Sequence, residues 1–162
     1  MPRVYVSLPL SGPMGAAGRD VLRGAELALA RRPAALEAVV LDSVGDDREP
    51  RATANARLAA EDGAALAYLG DFHSSQVGLT APILDVPRLL QVAPVATRVG
   101  LGGDTLVRLM PDDAAAAGTG AGWIAARGVR DARRSSRRPR SARGSSPPGG
   151  RPSTSTATRP WS

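Results

Sequence analysis

The 162-residue sequence predicts an α/β fold: a doubly wound parallel sheet of about five strands over residues 1–130, then an unpatterned tail over residues 131–162. Two observations carry this. Short, apolar, β-rich runs alternate with longer stretches of Ala, Leu and charge, which is the order of βαβ units. That pattern then stops at Gly128-Val129-Arg130, where Arg, Ser and Pro take over.

The strands expected in order are Val4–Leu8, Ala38–Asp42, Leu66–Leu69, Leu89–Val92 and Leu106–Leu109, each short and mostly apolar as buried parallel strands are. After the first strand, residues 16 to 31 read as a helix with Val21, Leu22, Ala25, Leu27 and Leu29 on its core face, closed before Pro33. A second helix, from Pro50 to Asp62, has Pro near its first position and Gly63 past its end. The third starts at Ser74-Ser75 and runs through Val77 and Leu79 to Ile83-Leu84, with Pro82 expected to kink or shorten it. The fourth runs from Asp112 to Arg127, with aspartates at its start and Gly128 as its stop. Right-handed crossovers between these strands imply a three-layer sandwich, with ligands bound beyond the carboxyl ends of the strands.

Composition removes several chemistries. The chain has no Cys and a single histidine, His73, so disulfides, thiolate nucleophiles and cysteine-ligated metals are excluded, and a Ser-His-Asp triad would have to use His73. Aromatics are only 3% of the residues, so the core has to be built from Ala, Val and Leu. No apolar run reaches the roughly 18 residues of a membrane span, and the start at Met1-Pro2-Arg3 lacks the pattern of a secretory signal; as written, the chain is expected to be soluble and unexported.

The net charge of +6 is unevenly placed. Residues 1–130 carry 13 Arg against 14 Asp and Glu, whereas residues 131–162 carry 8 Arg against one Asp, so the basicity lies in the tail. With Trp161 its one large apolar residue, that tail cannot offset an ordering cost of about 1–2 kcal/mol per residue and is expected to be disordered. Its arginine runs have no interleaved aromatics to stack bases, so a nucleic-acid partner is not expected. All 21 basic residues are Arg, as GC-rich coding DNA gives, which suggests a frame-shifted or truncated product.

Five loops, residues 9–18, 43–49, 70–75, 93–103 and 111–113, lie where ligands bind. Ser11-Gly12-Pro13-Met14-Gly15-Ala16-Ala17-Gly18 has the spacing G-x-x-G-x-x-G, with Met14 where a dinucleotide fingerprint needs glycine; Asp42, at the next strand end, sits like a ribose-binding acid. A Rossmann-like dinucleotide-binding enzyme fragment is therefore the alternative from the residues alone. Gly70-Asp71-Phe72-His73-Ser74-Ser75 puts a hydroxyl and free N–H groups at a helix start, which serves either as a cap or as an anion site. Val95-Ala96-Thr97 supplies one hydroxyl and open amides after the fourth strand. The acidic set Asp42, Asp46, Asp47 and Glu49 lacks calcium-loop order, so no metal is expected, nor any other cofactor or catalytic residue.

Read in order, Val6-Ser7-Leu8-Pro9-Leu10-Ser11-Gly12-Pro13, Gly24-Ala25-Glu26-Leu27-Ala28-Leu29, Asn55-Ala56-Arg57, Tyr68-Leu69-Gly70 with Ser74-Ser75, Pro82-Ile83-Leu84, Gln91-Val92-Ala93-Pro94 with Thr97, and residues 107–113 resemble successive blocks of one family. That family is the leucine/isoleucine/valine-binding group of type I periplasmic solute-binding proteins, and the resemblance covers its amino-terminal lobe, residues 1–130. It implies a periplasmic, non-enzymatic protein that closes on a small amino acid or related solute and presents it to the permease of an ABC importer. It also implies a grip on the solute's α-carboxylate and α-ammonium groups by Ser74, Val95 and Thr97. Ala17 stands where relatives often have an aromatic, which leaves the solute open, and a single lobe is expected to bind weakly or not at all. The same fold also serves as a sensor lobe in receptors and regulators.

Overall fold

The computed structural model describes residues 1–31, 35–45 and 51–129, and residues 1–128 form one compact unit. The expectations for the tail (disorder, a frame shift, nucleic acid) and for Asp46, Asp47, Glu49 and Pro50 fall outside the described residues.

Element order is β1 (Arg3–Leu8), α1 (Gly15–Ala30), β2 (Glu37–Asp42), α2 (Arg51–Glu61), β3 (Ala65–Leu69), α3 (Ser74–Asp85), β4 (Leu90–Ala93), β5 (Leu106–Arg108) and α4 (Asp113–Ala126). All strand pairs are parallel and the sheet order is β2-β1-β3-β4-β5, so the expected α/β doubly wound sheet of five strands is the fold found. Register places Tyr5 beside Tyr68 and Tyr68 beside Gln91 across the three central strands. The chain leaves β1 toward one edge and then crosses back past it to β3. With right-handed crossovers, α1 therefore lies on one face and α2 and α3 on the other. This reversal at β1 opens a crevice at the carboxyl ends of β1 and β3, between loops that run in opposite directions.

The main core is on the α2/α3 face, where Tyr5, Ala56, Ala59, Tyr68, Leu84 and Leu89 are buried together. A smaller cluster of Val77, Ala93, Ala96 and Leu101 lies under the β4–β5 connection, which contains no helix. Alanines in α2 let it sit close to the sheet, which is how a core with few aromatics closes. Gly18 does the same for α1: a Cβ there would stand 2.0 Å from the Pro9 carbonyl oxygen.

Two sequence expectations change. Leu27 is 54% exposed, because in α1 the positions 22, 25 and 29 share one face and 27 falls well off it. Pro82 does not end α3, which continues to Asp85; one missing N–H costs one helical bond while Val77, Thr80, Ala81 and Leu84 hold the helix on the sheet.

Candidate functional site

The loops after β3 and β4 meet. Ser74, first residue of α3, does not cap its own helix; the residue before it, His73, takes the N-cap position in extended conformation. The Ser74 hydroxyl instead accepts hydrogen bonds from the backbone N–H groups of Thr97 and Arg98, each at 3.2 Å. Both acceptor positions are thereby used, and its proton remains to donate outward. At any helix start the first three N–H groups have no carbonyl within the helix, so those of Ser74, Ser75 and Gln76 join this hydroxyl in a small patch of donors favourable to a carboxylate. Thr97 is half-buried, and its carbonyl accepts from Asp113 N–H at 2.8 Å, so the loop is pinned on both sides. Val95 lies half-buried between the buried Pro94 and Ala96. His73 is exposed, its ring edge-on to Phe72 at 5.4 Å.

Beneath this patch is a polar network that sequence reading missed. Asp71 is fully buried; its carboxylate accepts from the Ser7 hydroxyl at 2.9 Å and from the Tyr68 hydroxyl at 3.2 Å. Asn55 Nδ2 donates to Ser7 Oγ at 3.0 Å, and Gln91 Nε2 donates to the Gly70 carbonyl at 2.9 Å and to Thr80 Oγ1 at 2.8 Å. Among the described residues no cation offsets the burial of Asp71, which pushes its carboxyl up to about 6, against the opposing pull of the Ser7, Thr80 and Tyr68 hydroxyls. Burial first, and then the Asp71 charge, raises the Tyr68 phenol. The signal available in the sequence was Ser7, Tyr68 and Asp71 falling at or just past the ends of two strands. Their adjacency requires the β1–β3 pairing, which the sequence does not state.

On the other side of the crevice Asp42 is used internally. Its Oδ1 accepts from the N–H groups of Leu10 and Val44, both at 3.0 Å. Burial raises its carboxyl, but hydrogen bonds from Ser11, Val44 and Leu10 outweigh this and leave it lowered. The glycines of the first loop serve close packing: a Cβ on Gly15 would stand 3.1 Å from the Leu10 carbonyl oxygen. These contacts account for Asp42 and the glycines without a nucleotide. Among the described residues no cluster of three or more His, Asp or Glu side chains forms a metal site, and no helix is long and apolar enough to cross a membrane.

A parallel sheet of order β2-β1-β3-β4-β5, with a hydroxyl and helix amides meeting the loop after β4 beside the crevice, defines the class: one lobe of the type I periplasmic-binding-protein fold. Within that class the chain matches the amino-terminal lobes of leucine and branched-chain amino acid substrate-binding proteins of ABC transporters. A leucine-binding protein of Thermotoga maritima is 25% identical with a TM-score of 0.67, covering 76% of this chain and 37% of its own. A branched-chain amino acid transporter protein of Rhodospirillum rubrum is also 25% identical, with a TM-score of 0.65, covering 78% of this chain and 39% of its own. A Rhodopseudomonas palustris solute-binding protein in complex with 3,4-dihydroxybenzoic acid shares the fold at 13% identity, TM-score 0.69, over 79% and 37% of the two chains. The chain thus spans well under half the length of these structural relatives. No protein-family model and no curated protein sequence matches it.

Proposed function

We propose that this chain is a lobe of the solute-binding component of an ABC importer for branched-chain or other amino acids, and that it acts by binding rather than catalysis. The observation that carries this reading is the Ser74 hydroxyl held against the Thr97 and Arg98 amides at the mouth of the crevice. In this reading the α-carboxylate lies over the start of α3 and takes the Ser74 proton and helix amides, while the Val95 carbonyl and Thr97 hydroxyl take the ammonium group. The importer's permease is the partner, and the periplasm or its extracytoplasmic equivalent is the place of action. The structural relatives whose names include leucine, isoleucine and hydroxybenzoate support a small carboxylate-bearing solute.

One wall of a cleft leaves the solute half in water, where each polar contact is weak. If that wall supplies half of a micromolar site's roughly 8 kcal/mol, the remaining 4 kcal/mol corresponds to about millimolar affinity. Titration of the ¹⁵N-labelled chain with L-leucine is expected to move the amide resonances of Ser74, Ser75 and residues 95–98 with about millimolar midpoint. Ser74→Ala should weaken this by about tenfold or more, the worth of a hydrogen bond to a charged group. Saturation of the chain without movement of those resonances would refute the proposal.

A further inference from the structure

The start of α3 has a second polar flank. Gln76 stands two residues after Ser74, about 200° around the helix, so the two side chains leave it on opposite sides. Ser74 reaches the loop after β4; Gln76 reaches the loop after β2, where its Nε2 donates to the Ser43 carbonyl at 3.2 Å. That bond fixes the amide's orientation, since the opposite one would set two acceptors face to face. Gln76 Oε1 is then left buried without a hydrogen-bond partner, and so is the hydroxyl of Ser43, a residue only 2% exposed.

Both residues line a cavity of about 280 Å³ between the loops after β1 and β2 and the first turn of α3. Its remaining wall is mainly apolar, with Pro9, Pro13, Met14 and Val44; Ser11, whose side chain is bonded to Asp42, and the exposed His73 also line it. The size falls just under the range of about 300–1,000 Å³ usual for small-molecule sites. Among the described residues no carboxylate lines it, and Asp42 nearby is turned to the Leu10 and Val44 amides. An ammonium or guanidinium group would find no counter-charge among the described residues here, and a carboxylate would face the Gln76 carbonyl oxygen. A neutral group able to donate one hydrogen bond and accept another satisfies both orphaned oxygens once a small turn of the Ser43 and Gln76 side chains opens them to the cavity. An aliphatic side chain satisfies neither, and would leave each with an unmet cost of about 1–3 kcal/mol.

We infer that this cavity is a side-chain subsite of the proposed solute site, selecting amino acids with a neutral hydroxyl or carboxamide side chain over leucine. This rests on the reading of Ser74 and Thr97 given above. A solute whose carboxylate lies over the α3 start can send its side chain past Gln76 toward Ser43, with the aliphatic stem against Val44 and Met14.

The test is a parallel ¹⁵N titration of the full chain with L-threonine, L-asparagine, L-glutamine and L-leucine, repeated on Gln76→Leu and Ser43→Ala. At least one of the polar amino acids is expected to bind about tenfold or more tightly than leucine, moving the Ser43, Val44 and Gln76 resonances together with those of Ser74 and Thr97. Gln76→Leu should erase that preference by weakening the favoured polar amino acid about tenfold, with Ser43→Ala giving a smaller effect in the same direction. Leucine binding as tightly as all three polar amino acids, or polar amino acids that leave Ser43 and Gln76 unmoved, would overturn the subsite while the amino acid reading stands. No response at Ser74 or Thr97 to any amino acid would overturn both.

Discussion

On the side of the sheet that carries α2 and α3, Tyr5, Tyr68, Leu84 and Leu89 are buried and the polar groups among them are joined in one network. At the other end of the chain, Leu90 on β4 and Val107 on β5 are 42% and 48% exposed, and α4 has no buried residue at all. The composition of the two regions is alike, Ala and Leu with few aromatics. The first is organised by tertiary contact, its buried apolar residues meeting opposing elements. The second is held more thinly, by the small cluster of Val77, Ala93, Ala96 and Leu101 and by strand pairing, and α4, uncharged from Ala114 to Ala126, is a helix of the kind that is otherwise found buried. The proposed solute site lies where the two meet, with Ser74 anchored in the packed half and Thr97 bonded to the start of α4.

The largest effect that tests this contrast is on the core. Leu84→Ala should cost about 2–5 kcal/mol of unfolding free energy, since Leu84 is wholly buried between α3 and the sheet. Trp123→Ala, at a residue 58% exposed whose ring is covered only by the Arg127 guanidinium, should change stability by about 0.5 kcal/mol or less. Denaturant melts of both variants measure the contrast directly. A comparable loss at Trp123 would mean that α4 is packed in solution.

Next in size is the Asp71 network. Its carboxyl is raised from 3.8 to about 6 in the folded chain, so between those values the folded state holds a proton that the unfolded state has released. The contribution is therefore fully present below pH ~4 and is lost as pH rises through ~6. The raised value corresponds to about 3 kcal/mol in favour of the acid end. Asp42, Asp62 and Asp85 are lowered and work in the opposite sense, so the useful quantity is the difference between the chain and Asp71→Asn. That difference should move by about 2 kcal/mol toward the unmodified chain from pH 7 to pH 4, where urea melts at each pH would show it. A pH-independent difference would mean that Asp71 stays ionised, or that water reaches it.

The same division separates what was legible in the sequence from what was not. Every strand and helix was readable to within about two residues, because each apolar run is closed by Gly, Pro or a polar residue that acts locally. Leu27 was misplaced because an Ala/Leu-rich helix has apolar residues around most of its circumference, and only the docked face distinguishes them. Strand order was invisible, since β1 pairing with both β2 and β3 depends on contacts 34 to 63 residues apart, as between Arg3 and Glu37 or Val6 and Leu69. The Ser7–Asp71–Tyr68 network was missed for that reason, whereas Ser74 and Thr97 were singled out through the family resemblance. The structure brings those two together, but Val95 has no comparable contact to Ser74 among the hydrogen bonds described.

The smallest effect concerns α4 itself. Asp112 caps the helix, accepting from Ala115 N–H at 2.9 Å, and its carboxylate lies 3.7 Å from Arg108. In a docked helix the loss of such a cap is partly masked, because packing keeps the turn formed. Here no buried face does so, and three glycines at 118, 120 and 122 each lower helix propensity by about 1 kcal/mol relative to Ala. Asp112→Ala, at about 1 kcal/mol, should therefore release α4 as a unit: amide exchange in residues 113–126 should speed by about fivefold while exchange in α2 and α3 stays unchanged. Unchanged exchange in α4 would show that something other than its cap and backbone holds it, and the contrast between the two halves would then be one of degree.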